Sequence, residues 1–234
     1  MTFSQLLHAV RQNPQEMVIP SVWGQGRAGF GGLAVALVFE AMRAKVPAGR
    51  PLRSLAVTFV GPLVLDAPVS FEAEVLREGK AVSQVLGRAL QDGQVVTLVQ
   101  GSFGASRASA IDVPALPAPA MKPVAECQEL PYIKNVTPEF TRYLAMRWGE
   151  GGMPFSNNQS RHMGGWVRLR DHDAQEVLQE AHLLALVDAW PPAVLPHLKA
   201  PAAGSSLTWT IEFVQPFPAL SSEDWCLYQA EVEH

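Results

Sequence analysis

The feature that most limits what this chain can fold into is that part of it occurs twice. VTFVGPL at Val57 to Leu63 reappears as IEFVQPF at Ile211 to Phe217, and SFEAEVL at Ser70 to Leu76 is loosely matched within DWCLYQAEV at Asp224 to Val232. In both copies an apolar helical stretch comes first, then a strand ending in aromatic-Val-x-Pro, then a longer strand. A period of about 150 residues is too long for a solenoid and reads as a duplicated domain.

Each copy reads as an α+β module. In the first, Phe3, Leu6, Leu7 and Val10 fall on one helical face, so a short amphipathic helix opens the chain. The glycine-dense loop GQGRAGFGG (Gly24 to Gly32) feeds LAVALVFEAMRAK, which has strong helix formers, no proline, and apolar residues on nearly every side. That helix is expected to be buried. From Ser54 the pattern turns to alternation and β-branched residues, punctuated by Gly61-Pro62, Glu78-Gly79 and Asp92-Gly93. These are hairpin signals, Asp-Gly being a strong two-residue turn, and they predict about four antiparallel strands wrapping the helix.

Five prolines, Pro114, Pro117, Pro119, Pro123 and Pro131, then impose an extended backbone. We read 109–131 as a linker between an N-terminal module, 1–108, and a C-terminal module, 132–234. In the second module, PEFTRYLAMRWGEGG and SRHMGGWVRLRD (Ser160 to Asp171) read as strands. QEVLQEAHLLALVDAW carries helical spacing at Val177, Leu178, Leu184, Leu186 and Val187 until Pro191-Pro192 interrupts it.

Composition removes several classes of function. Hydrophobic residues make up 48% and charged residues 17%, a balance for a packed chain. The net charge of -4 and the lack of any basic run argue against a nucleic-acid partner. The longest apolar stretch, Leu33 to Phe39, is too short to span a bilayer and MTFSQLLHAV is no signal peptide, so the expectation is a soluble cytoplasmic protein with no membrane partner. Cys127 and Cys226 are isolated, and the six histidines show no metal-ligand spacing, so no metal and no cofactor is expected. His162 and His182 read as solvated or packed. Arg161, Arg168 and Arg170 suit either a phosphate or a strand face turned to water. The glycine loop lacks the Lys-Ser/Thr of a nucleotide-binding P-loop, and no GxSxG elbow is present.

In order along the chain, GQGRAGFGGLAVALVFEAM (Gly24 to Met42), SLAVTFVGPL (Ser54 to Leu63), GGWVRLRD (Gly164 to Asp171), LALVDAWPPAV (Leu184 to Val194) and SLTWTIEFVQP (Ser206 to Pro216) resemble the type II acyl-CoA thioesterases. The resemblance implies a tandem, double hotdog: two modules, each a long central helix wrapped by an antiparallel sheet. It implies hydrolysis of acyl-CoA to free acid and CoA in fatty acid metabolism, and further homo-oligomerisation, as a dimer or higher. In that family an Asp on the second helix, a strand hydroxyl and a late Gln orient a water. Asp188 takes the first role here and Ser206, or failing that Thr208, the second. By the position of Gln100 in the first module, the Gln is expected about 20 residues beyond His234, so the second module is read as lacking its last strands.

The residues themselves say less. Asp188 lies in an apolar helix where an unpaired carboxylate is costly to bury, so it serves chemistry, or else it is solvated at the helix end or caps the turn at Trp190-Pro191-Pro192. Ser206 can equally be a turn residue bonding its own backbone. The glycines of the loop serve either close packing or an approach of backbone N–H groups to a carbonyl or phosphate. Glu40, the one acid of the first helix, is expected near solvent. The rival to a hydrolase is a non-catalytic acyl-CoA-binding or assembly protein. A hotdog hydratase ranks last, because His182 is six residues before Asp188, about 120 degrees round the helix from it.

Overall fold

In the computed structural model residues 1–170, 177–202 and 204–233 are described. Asp171, read as the end of a strand, and Gln175 and Glu176, read as helix, lie outside them.

Helix α1 (Phe3–Gln12) buries Phe3, Leu6, Leu7 and Val10, the face its spacing requires. It is started by a reciprocal cap in which the Gln5 amide donates to Thr2 Oγ1 and the Thr2 amide to Gln5 Oε1. Three two-residue strands follow, β1 (Met17–Val18) and, from the glycine loop, β2 (Gly24–Gln25) and β3 (Ala28–Gly29), which pair as a tiny hairpin. They lead into α2 (Gly31–Arg43), buried along ten of its thirteen residues. Each large apolar side chain there, such as Leu33, Leu37 or Phe39, contributes roughly 1.5–3 kcal/mol by leaving water.

Around α2 wraps an antiparallel sheet in the order β1, β5 (Pro68–Glu78), β6 (Val82–Gln91), β7 (Gln94–Gly104), β4 (Leu52–Phe59). The turn between β6 and β7 has positive φ at both Asp92 and Gly93, as the Asp-Gly signal demands. Gly87 and Gly101 let this sheet close on the helix: a Cβ on Gly87 would lie 2.5 Å from Val38 Cγ1.

The second module has its own sheet, β12 (Cys226–Glu231), β10 (His162–Leu169), β9 (Leu144–Glu150) and β8 (Gln128–Leu130). Thus β8, within the stretch read as linker, is part of a sheet, whereas 107–121 carries no regular structure. Its helix α3 spans only Glu180–Val187, and Val177 forms an isolated bridge to Ser221 instead of a helical turn. Strand β11 (Thr208–Glu212) leaves this sheet and pairs antiparallel with β4 of the first module.

That pairing shows how the duplicated halves are related. The repeat equates Val57 with Ile211 and, by the same offset, Ala56 with Thr210. Ala56 and Thr210 lie directly opposite in the ladder, which is what a local two-fold axis through the seam requires. The chain is therefore a tandem hotdog of the α+β class. Aromatic stacking reinforces the seam, with Trp23 on Tyr143 at 4.3 Å and Phe30 on Phe140 at 3.9 Å. Among the described residues no helix is long and apolar enough to cross a membrane.

Because Val38 is rigid at its branch, Gly87→Ala should force α2 away from the sheet and destabilise the fold by about 1–3 kcal/mol. A urea midpoint equal to that of the parent would contradict this packing.

Candidate active site

Helix α2 begins without a cap of its own. Phe30 stands at its N-cap position and offers no side-chain acceptor, and the first turn carries no acid. The first-turn amides therefore need partners from elsewhere. One comes from the other module, 156 residues away in sequence: the Gly32 N–H donates to Asp188 Oδ2 at 2.7 Å.

Asp188 reaches this place because α3 ends on it. The residue is the C-cap of α3, and Trp190, two residues on, is anchored between Trp148 and Tyr228 at ring distances of 5.2 and 5.0 Å. Helix α2 allows the approach because it opens with two glycines. A Cβ on Gly31 would lie 2.9 Å from Asp188 Oδ2, and one on Gly32 would lie 2.9 Å from Asp188 Cβ and 3.0 Å from the Ala185 carbonyl. The glycines serve close packing of helix on helix, and that same packing delivers the carboxyl to the amide.

Burial and bonding act on the carboxyl in opposite senses. Burial raises its pKa to about 7, against the smaller lowering effect of the Gly32 N–H. It is thus a carboxyl held near neutrality. Tyr228, from β12, feels it in turn: burial first, then the Asp188 charge, pushes the phenol upward and keeps it a proton donor. The sequence reading missed Tyr228, whose only signal was its place in the loosely repeated strand.

Glu40 provides the contrast. It was expected near solvent, but it is 5% exposed and held by a bidentate ion pair with Arg11, Nε to Oε2 at 2.6 Å and Nη2 to Oε1 at 2.9 Å. Arg11 continues to Gln179 of the second module at 2.9 Å. A late-helix carboxylate thus exists in each module, one neutralised by a guanidinium and one bonded, among the described residues, by an amide.

The candidate hydroxyls lie differently. In β11 the side chains of Trp209 and Ile211 share a sheet face with buried Val57 and Leu55 of β4, so Thr208, opposite Thr58, is turned to the exposed face. Ser206 is exposed as well. Among the described residues neither hydroxyl is hydrogen-bonded to Asp188, but the intervening Leu207 carbonyl accepts the Phe59 N–H at 2.9 Å, and the Phe59 ring flanks Gly31. His182 is packed: it lies 5.3 Å from the Phe3 ring, and its Nδ1 accepts the Gln179 N–H at the start of α3. His162 is exposed. Arg161 donates to the carbonyls of Val232 and Glu233, Arg168 to that of Glu223, and Arg170 to that of Leu144. Among the described residues no group of His, Cys, Asp and Glu is arranged to hold a metal. An apolar groove of about 320 Å³ runs beside the site between α3 and strands β11 and β12, lined by Leu184, Val187, Phe213, Cys226 and Tyr228.

Two halves of one family match this chain: the acyl-CoA thioesterase N-terminal domain over residues 19–104 and the acyl-CoA thioesterase C-terminal domain over residues 118–234. The chain belongs to the acyl-CoA thioesterase family. A conserved hot dog protein of unknown function from Alicyclobacillus acidocaldarius is similar at 24% identity and TM-score 0.73, over 85% of this chain and 72% of that one. A putative thioesterase from Novosphingobium aromaticivorans is 21% identical with TM-score 0.71, over 92% and 81%. An acyl-CoA thioesterase II from Mycobacterium marinum is 18% identical with TM-score 0.65, over 92% and 78%. These likenesses concern the fold. No curated protein matches the chain.

The raised pKa of Asp188 has a thermodynamic sign. Unfolded, the carboxyl ionises at its ordinary value of 3.8, and folded, at about 7. Between these the folded state holds the extra proton, so stability is full at low pH and falls as pH rises through the window. Asp188→Asn keeps an acceptor for Gly32 and removes the charge. It should flatten the profile and be more stable than the parent at pH 8 by an amount on the order of a few kcal/mol. Denaturation from pH 4 to 8 measures this, and a variant less stable at pH 8 would mean that Asp188 is simply a cap.

Proposed function

We propose that the protein hydrolyses acyl-CoA thioesters to a free acid and CoA, with Asp188 as the general base that activates water. One observation carries the reading: a carboxyl with no ion-pair partner among the described residues sits at the N-terminus of a buried helix from the other module, with a pKa of about 7. A base of that pKa is half ionised at neutral pH, the poise that proton transfer favours. A helix N-terminus is also where a carbonyl oxygen that gains negative charge is stabilised, by first-turn amides and by the helix dipole.

The chemistry then follows. The thioester carbonyl oxygen turns to the α2 N-terminus. Asp188 takes a proton from water as the water oxygen attacks the carbonyl carbon, and the amides hold the oxyanion. Collapse breaks the carbon–sulfur bond, the CoA thiolate leaves, and the proton on Asp188 passes to it. Ser206 and Thr208 are exposed, and we assign them no step. The substrate's acyl part is apolar in this reading because the groove beside the acid is lined by apolar side chains, Leu184 and Phe213 among them. The binding-protein rival has no use for a carboxyl poised at neutrality.

Incubation with acyl-CoA and a thiol reagent should show release of free CoA, with kcat/KM rising with pH through about 7. In Asp188→Asn, release should fall by about 10²–10⁴-fold while the circular dichroism spectrum is kept. Unchanged release in that variant would refute the assignment, and saturable acyl-CoA binding without release in the parent would favour the binding protein.

A further inference from the structure

The carboxyl of Asp188 is walled on one side by a residue to which neither the sequence motifs nor the mechanism above assign a role. Phe59 closes β4 of the first module. A Cβ placed on Gly31 would meet its Cε1 at 3.1 Å and its Cζ at 3.2 Å, and would meet Asp188 Oδ2 at 2.9 Å. The ring edge and the carboxyl oxygen therefore converge on one point above the first residue of α2. The ring is fixed there from both modules. Its own amide is held by the Leu207 carbonyl at 2.9 Å, and its face is tilted against Trp209 of β11 at 5.2 Å.

We propose that Phe59 is a positioning residue for the Asp188 site: its ring, locked at the seam of the two modules, shields the carboxyl from bulk water and forms the apolar wall along which an acyl group reaches it. The reason is physical. An aromatic ring edge that crowds the same point as a carboxyl takes space from waters that would stabilise the charge, and it brings no donor of its own. Along the first turn of α2 there is no acid, and the residue before Phe59 is Thr58, on the exposed face. Strand β12 contributes Tyr228, a phenol, and β11 contributes Glu212, which lines the groove shared with Val187 and Tyr228. Asp188 answers to burial and to the Gly32 amide, not to a neighbouring charge. Removing the ring lets water in.

The role of Phe59 rests on the hydrolase reading only for its acyl wall; its effect on the acid can be read without any substrate. Carbon-13 NMR of the labelled Asp188 carboxyl is titrated in the full chain, in Phe59→Leu and in Phe59→Ala. The midpoint should fall by about one unit or more in Phe59→Ala and by less in Phe59→Leu, which keeps part of the apolar bulk. With acyl-CoA as probe, the pH profile of kcat/KM should move to lower pH by the same step, and KM for a long acyl chain should rise more than that for acetyl-CoA. A midpoint that stays with the parent in both variants would overturn the role. Should Phe59→Ala not fold, the midpoint in Phe59→Leu decides it. A parent that releases no CoA but whose Asp188 midpoint falls in the variants would remove the hydrolase and leave Phe59 as the shield of the acid.

Discussion

A single hydrogen bond between modules organises this molecule. The helix that the first sheet wraps starts with an apolar residue and two glycines, so it cannot cap itself, and its first turn is closed by the carboxyl of Asp188 from the end of the other module's helix. The bond is favourable for the ionised acid and for the helix dipole. Burial is unfavourable for the same charge, and burial has the larger effect. The protein thus holds a carboxyl at a helix N-terminus in a state between charged and neutral. Such a conflict is stable only where the rest of the structure enforces it.

The seam does that enforcing. Strands β4 and β11 pair about a local two-fold axis at Ala56 and Thr210, so each module supplies an edge to the other. Phe30 stacked on Phe140 fixes the approach to α2, and Trp190 between Trp148 and Tyr228 fixes the end of α3. The far end of the helix pair is tied by Arg11, which joins Glu40 to Gln179. Glu40 and Asp188, both late-helix acids, differ in their partners: the Arg11 guanidinium pairs with the first, whereas among the described residues the second has the Gly32 amide and no ion pair.

Much of this was legible in the sequence, for identifiable reasons. The repeat of VTFVGPL in IEFVQPF showed the duplication, the period of Phe3, Leu6, Leu7 and Val10 showed α1, and Asp92-Gly93 showed the β6–β7 turn, because these are local signals of one chain segment. An acid inside an apolar helix marked Asp188. What sequence did not show depends on contacts between distant residues. That Glu40 is buried requires Arg11 to be across from it. That α3 starts only at Glu180, and that β8 joins a sheet, depend on neighbours that periodicity does not see. Thr208 follows the same rule: its type suited a hydroxyl role, but strand alternation set against β4 turned it outward. Phe59 and Tyr228 carried no signal beyond their places in the repeated segments, since an aromatic in a strand reads as core.

The most direct measurement is a crystal structure with an acyl-CoA analogue whose thioester sulfur is replaced by a methylene group, so that it binds but is not cleaved. The account requires the ketone oxygen within hydrogen-bond distance of the first-turn amides of α2, and an Asp188 oxygen facing the adjacent carbonyl carbon with room for one water. A ligand bound away from the seam, with Asp188 still closed on Gly32 and no carbonyl near either, would contradict it.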